Sequence, residues 1–162
     1  MTTTATEQHI AIQQVLSAWQ THIRRVNDSI EKLSDEDWSK EFAPGRNTGI
    51  YLLGHLIASN ESMITLFGLG EKKYPEYVQL FLSSPDKSGQ EFPPIATLKA
   101  NWQELNNRLA EGFAGFSTEE WLSKHTSVSE EDFKLNPQRN KLNVVINRTN
   151  HVAYHLGQLA LL

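Results

Sequence analysis

A chain of 162 residues without a single cysteine has no disulfide, no thiolate nucleophile and no thiolate metal site open to it. A formal net charge of −4 with no Lys/Arg cluster argues against a nucleic-acid partner. The length suits one domain over 1–162 with a sizeable core. No basic or apolar leader pattern marks Met1 to Glu7, and no apolar run approaches the ~20 residues of a membrane span, so a cytoplasmic protein without a membrane partner is expected.

Apolar periodicity opens the chain. Between Glu7 and Leu33, residues Ile12, Val15, Leu16, Trp19, Ile23, Val26, Ile30 and Leu33 recur at steps of three and four, which predicts a long amphipathic helix. His9 and His22 fall on it without a metal-ligating neighbour one turn away and read as surface or core histidines. Ser34 followed three residues later by Asp37 resembles a capping box, so a short helix begins there. Pro44-Gly45 breaks the chain, and Asn47 or Thr48 can cap a second long helix from about Thr48 to Phe67.

Ile50, Leu53, Ile57, Ile64 and Phe67 form the stripe of that second helix, and His55 lies nearly opposite its centre. The histidine's own face is also small or apolar, with Tyr51, Leu52, Ala58, Ser59, Ser62 and Leu66. A helix apolar nearly all round is buried on two sides, either within the molecule or against another subunit. Asn60 lies inside the stripe and needs a hydrogen-bond partner there. Glu61, the only charge on the helix, points about 120° away from His55 and stays outside any ligand set.

The stretch from Gly68 to Pro94 reads as a long irregular connection with a short helix near Tyr74 to Leu82. Tyr74 and Tyr77 are candidates to cover a pocket, with Arg46 at its mouth to meet an anionic substrate. A third long helix is predicted from Pro94 to Phe113 on Ile95, Leu98, Trp102, Leu105, Leu109 and Phe113. Phe116 to Lys124 then echoes Leu33 to Lys40: Ser, an acid three residues on, Trp, Ser-Lys. Both segments precede a histidine-bearing helix, a weak internal repeat. Residues 125–140 read as a polar loop, with His125 alone in it.

The fourth long helix runs from about Lys141 to the end on Leu142, Val145, Val152, Leu156 and Leu159. Its adjacent face holds Asn147, His151, His155 and Gln158. His151 and His155, four apart, sit one turn above each other and can reach one ion. Four long helices without a convincing strand predict an all-α four-helix bundle. The long second connection allows a crossover, giving up-down-down-up order. In antiparallel packing His55, ~12 Å into helix two, meets His151 and His155, ~10–17 Å from the end of helix four.

Neutral imidazoles suit zinc, nickel, copper or iron, and three protein ligands leave a coordination position open, as in catalytic sites. Without cysteine, any thiol must come from the substrate. Gln158, one turn beyond His155, can orient a ligand or make an interhelical hydrogen bond. No acid stands out as a general base.

Gly54-His55-Leu56 in helix two and His151-x-x-x-His155-Leu156-Gly157-Gln158-Leu159 in helix four resemble the DinB-like superfamily, over nearly the whole chain. The resemblance implies an up-down-down-up bundle, a divalent metal ion, zinc or nickel first, on His55, His151 and His155, and a homodimer. Members of that family include S-transferases and isomerases that use a low-molecular-weight thiol. A thiol-cofactor-dependent S-transferase acting on a small-molecule substrate is therefore the leading expectation. A metal-dependent hydrolase, or a non-catalytic metal-binding, stress-related helical dimer, is the alternative.

Overall fold

The computed structural model describes residues 2–162, with side chains from residue 7 onward. Met1, the first residue of the segment expected to lack a leader pattern, lies outside the described residues. The helices are α1 (Thr2–Lys32), α2 (Asp35–Trp38), α3 (Gly49–Leu66), α4 (Ile95–Ala114), α5 (Thr118–Leu122), α6 (Glu130–Leu135) and α7 (Lys141–Leu159), with a single π turn at Gln79–Ser83 between α3 and α4. The described residues contain no strand, only isolated bridges between Glu41 and Thr48 and between Lys124 and Asn140. No described helix is long and apolar enough to cross a membrane.

The amphipathic stripes do the packing that their periodicity predicts. On α1, Ile12, Trp19 and Val26 are buried at seven-residue intervals, with Val15, Leu16, Ile23 and Ile30 packed beside them. Leu98, Trp102, Leu105, Leu109 and Phe113 are the buried face of α4, and Val145, Val152 and Leu159 that of α7. Helix α1 lies against α7, α7 against α3, and α3 against α4. The first helix starts at Thr2 rather than near Glu7, because a stripe-based reading begins only where apolar residues do.

Two local motifs repeat. Ser34 with Asp37, and Ser117 with Glu120, both form complete capping boxes. Trp38 and Trp121 are buried directly behind them. Each segment leads through one of the two bridges to the N-cap of a histidine-bearing helix, Thr48 for α3 and Asn140 for α7. The echo in sequence is therefore an echo in structure.

Helix α6 corrects the expectation of a loop over 125–140. The Ser129 side chain accepts from the Asp132 N–H, and Glu130, Glu131 and Asp132 suit the positive end of the helix dipole. None of its residues is buried, so no apolar periodicity announces it.

The connection between α3 and α4 explains why α3 is apolar on two faces. It runs back along α3 as a strap held at successive levels. Glu61 Oε1 accepts from the Lys73 and Tyr74 N–H groups, His55 Nδ1 donates to the Phe81 carbonyl, and Tyr51 Oη donates to the Ser84 carbonyl. Asp86 Oδ2 accepts from both the N–H and the hydroxyl of Thr48 at the start of the helix. Phe81, fully buried, lies on Gly54, where a Cβ would overlap its ring. The second face of α3 is thus covered by its own chain, and no second subunit is needed to bury it. The short helix expected near Tyr74 to Leu82 is present, as a turn from Tyr74 that winds into the π-helical segment Gln79–Ser83.

Candidate metal centre

Helices α3 and α7 pack antiparallel: Gly49 lies by Leu162, His55 by His151 and Ser62 by Arg148. That pairing brings together the three histidines singled out in the sequence. His151 Nε2 stands 3.0 Å from His55 Nε2 and 3.1 Å from His155 Nε2. One ring nitrogen from each of the three lies within 4.8 Å of the others. Nitrogens bound to one tetrahedral zinc at 2.0–2.1 Å stand about 3.4 Å apart, so the cluster is already close to the size an ion requires.

The hydrogen bonds behind the rings decide which atoms face inward. His55 Nδ1 donates to the Phe81 carbonyl at 2.8 Å, and His155 Nδ1 donates to Gln158 Oε1 at 2.7 Å. Both protons therefore sit on Nδ1, and both Nε2 atoms turn lone pairs toward His151. His151 Nε2 carries at most one proton, so it can satisfy only one of them. A neutral cluster therefore leaves at least one Nε2 lone pair without a proton to accept. A cation at the centre relieves that conflict, and metal-ligating histidines commonly donate their other N–H to a carbonyl in this way. The residues fit a divalent ion on the chemistry of the donor set.

The rings are held ready as neutral donors. Burial pushes His55 and His155 below the ordinary imidazole value, against the opposing hydrogen bonds to the Phe81 carbonyl and Gln158; Arg148 adds to the effect on His55, and the His55 ring to that on His155. His151 is pushed down to about 4, by burial first and then by His155, His55 and Arg148. Between the ordinary 6.5 and about 4, the unfolded chain binds more protons than the folded one, so stability falls as pH drops through that window. Each such histidine contributes up to ~1.4 kcal/mol per pH unit. Metal-free protein is expected to unfold at lower urea near pH 5 than near pH 7.5, and the difference should shrink in His151→Asn. Equal midpoints at the two pH values would contradict it.

A pocket of about 270 Å³ adjoins His155, lined by Phe42, Gly45, Arg46, Asn47, Tyr154 and Gln158. Arg46, expected from sequence at a pocket mouth, is among the residues lining this pocket. Gln158 holds His155, as one of its two readings had it. Tyr74 and Tyr77 do not cover this pocket. They are buried, stacked on each other, with their hydroxyls bonded to Glu104 and Asn101 of α4. Glu61 also stays away from the cluster, occupied by the strap. Asn60 is fully buried with neither side-chain atom partnered, and nothing in the structure explains it. His9, His22 and His125 do not join the cluster. The Phe81 carbonyl was missed from sequence, since every residue carries one and only the fold selects it.

A family model described as DinB superfamily matches residues 18–159, a span that includes all three histidines and both helices that carry them. No curated protein matches the chain.

Proposed function

The chain belongs to the DinB superfamily, and on that premise we propose that it is a divalent-metal-dependent enzyme, with zinc or nickel held by His55, His151 and His155, that transfers a small thiol to an electrophilic small molecule. The observation that carries this reading is the convergence of three Nε2 atoms, two of them with their tautomer set by Phe81 and Gln158. We read the four long helices α1, α3, α4 and α7 as one up-down-down-up bundle. The antiparallel α3 and α7 support this, as do the contacts of α4 with α1, where Phe113 meets Trp19 and Trp102 meets Asn27.

The protein's own residues supply three things. Three neutral imidazoles leave at least one coordination position free for substrate. The Phe81 carbonyl and Gln158 fix two of the rings before anything binds, so little reorganisation is needed when it does. The pocket beside His155 offers Arg46, Tyr154 and Asn47 around the arriving molecule. A divalent ion at this centre would supply Lewis acidity and favour the thiolate form of a coordinated thiol. In such a transfer a thiol sulfur would form the new bond to the electrophilic carbon while the bond to the leaving group breaks and its electron pair leaves with that group. The residues lining the pocket are Phe42, Gly45, Arg46, Asn47, Tyr154, His155 and Gln158, so the thiol proton would pass to solvent.

The test is a transfer assay on protein loaded with zinc or nickel, using a thiol and an alkyl or epoxide electrophile. Thioether should form faster with loaded than with chelator-stripped protein. Hydrolysis of the electrophile without thiol consumption would favour the hydrolase. Metal binding with neither reaction would leave a non-catalytic metal protein.

A further inference from the structure

A second cavity, of about 300 Å³, opens between α1, α4 and α5. It shares no lining residue with the histidine cluster or with the pocket beside His155. Its floor is aromatic: Trp19, Phe113 and Trp121 are buried, and Phe116 is half-buried beside them. Its rim is polar and open to water, with His9, Gln13 and Gln20 exposed on one face of α1. Among the described residues, no Asp, Glu, Lys or Arg lines it.

Protein interiors pack densely enough to leave few voids of this size, so the walls must be held apart. The aromatic rings brace one another. Phe113 and Phe116 each meet Trp121 edge-on at 5.1 Å, and Trp19 lies 6.4 Å from Phe113. Phe67, just past the end of α3 and outside the cavity lining, packs against Phe113, Phe116 and Trp121. None of the lining rings can turn inward to fill the space without losing these contacts. On α4 the cavity meets only Ala110 and Ala114 beside Phe113, and those alanines lie four apart on one face. Leucine or methionine there would suit the helix nearly as well and would narrow the cavity.

The dimensions and chemistry select an occupant. An apolar cavity of about 150 Å³ takes a benzene ring, so about 300 Å³ takes roughly two fused rings. Aromatic walls favour an aromatic guest, through stacked and edge-to-face contacts that add to area burial. A wall without ionic side chains leaves a buried charge unpaired, which disfavours an ionic guest. Gln13, Gln20 and the Thr118 hydroxyl offer hydrogen bonds to a polar substituent at the rim. We propose that this cavity is a binding site, separate from the metal centre, for a flat, uncharged aromatic molecule of about two fused rings. The site stands whether or not the histidines hold a metal.

The tryptophans provide the readout. The chain has four, of which Trp19 and Trp121 line the cavity. Trp38 and Trp102 are fully buried elsewhere and serve as internal controls. Naphthol titrated into isotope-labelled protein should shift the indole N–H resonances of Trp19 and Trp121 to saturation, leaving those of Trp38 and Trp102 in place. Ala110→Phe fills the cavity from an exposed position and should weaken binding by at least about tenfold. Ala114→Phe gives the same reading from the adjacent turn, and unchanged Trp38 and Trp102 resonances show that either variant has kept its fold. Decahydronaphthol, neither flat nor aromatic, should bind about twofold to tenfold weaker than naphthol. Naphthalenesulfonate, flat but ionic, should also bind more weakly. No saturable shift at Trp19 and Trp121, or undiminished binding in both filled variants, overturns the proposal. Equal affinity for naphthol and either of its two analogues overturns it too.

Discussion

Purified without chelator, His151→Ala should carry less than about a tenth of the metal that the parent chain carries. Removing a group that merely orients a ligand already lowers metal affinity about 10–100-fold, and removing a ligand itself should exceed that. His151 is the central member, since its Nε2 is within 3.1 Å of both other Nε2 atoms. Without it, His55 and His155 form a two-nitrogen site. Gln158→Leu is the graded comparison. It removes the acceptor for His155 Nδ1–H, frees the ring to turn, and should weaken binding by about 10–100-fold while leaving a full site at high metal. Elemental mass spectrometry on untagged protein, with competition against a chromophoric chelator, reads both effects. Equal metal content in His151→Ala and the parent would sink the three-histidine centre. Circular dichroism should remain helical in both variants, because neither residue is part of the apolar core.

Phe81→Ala should destabilise the fold by about 3–5 kcal/mol, the usual range for emptying a large buried aromatic site. The ring is fully buried against Tyr51, Tyr77 and Phe92, with centroids 5.8, 5.2 and 5.0 Å away. For a chain of this size such a loss lowers the melting temperature by roughly 6–20 °C. Gly54→Ala attacks the same contact from the other side. Its Cβ would overlap the Phe81 ring, which has nowhere to go, so a loss of about 1–3 kcal/mol is expected. Both changes should also weaken metal binding, because the Phe81 carbonyl is the acceptor that aims His55. Because the residues touch, the two losses should not add when combined, and a double-mutant cycle measures the shortfall. Urea unfolding of Phe81→Ala within about 1 kcal/mol of the parent, with metal affinity unchanged, would mean that the strap neither stabilises α3 nor positions its histidine.

What could be read from sequence followed from what leaves a periodic trace. The long helices announced themselves through stripes such as Ile12, Trp19 and Val26, and the packing follows those stripes. The three histidines could be picked out because residues four apart share a helix face, because an apolar face around His55 implied burial, and because their motifs resemble the DinB-like superfamily. Capping chemistry made Ser34, Thr48 and Ser117 readable. Helix α6 carries the same capping signal at Ser129 but no stripe, so from sequence it reads as a loop. The strap was opaque for a different reason. Its register depends on Glu61, Asp86 and two backbone carbonyls, contacts between segments whose separation in sequence carries no period. Tyr74 and Tyr77 show how an aromatic pair in a long connection reads equally as a lid or an anchor. Their hydroxyl partners on α4 decide for the anchor.

His55 and His151 are separated by 96 positions in the chain. An ion held by both, and by His155, would close a loop of that length. In the unfolded chain those donors are scattered, so the ion would bind the folded state almost alone. Occupancy would then become a thermodynamic lever on folding itself, worth about 2.7 kcal/mol when free metal stands at a hundred times the dissociation constant. A protein built this way would lose stability as the ion became scarce, and the fraction unfolded, with its exposure to proteolysis, would rise in step.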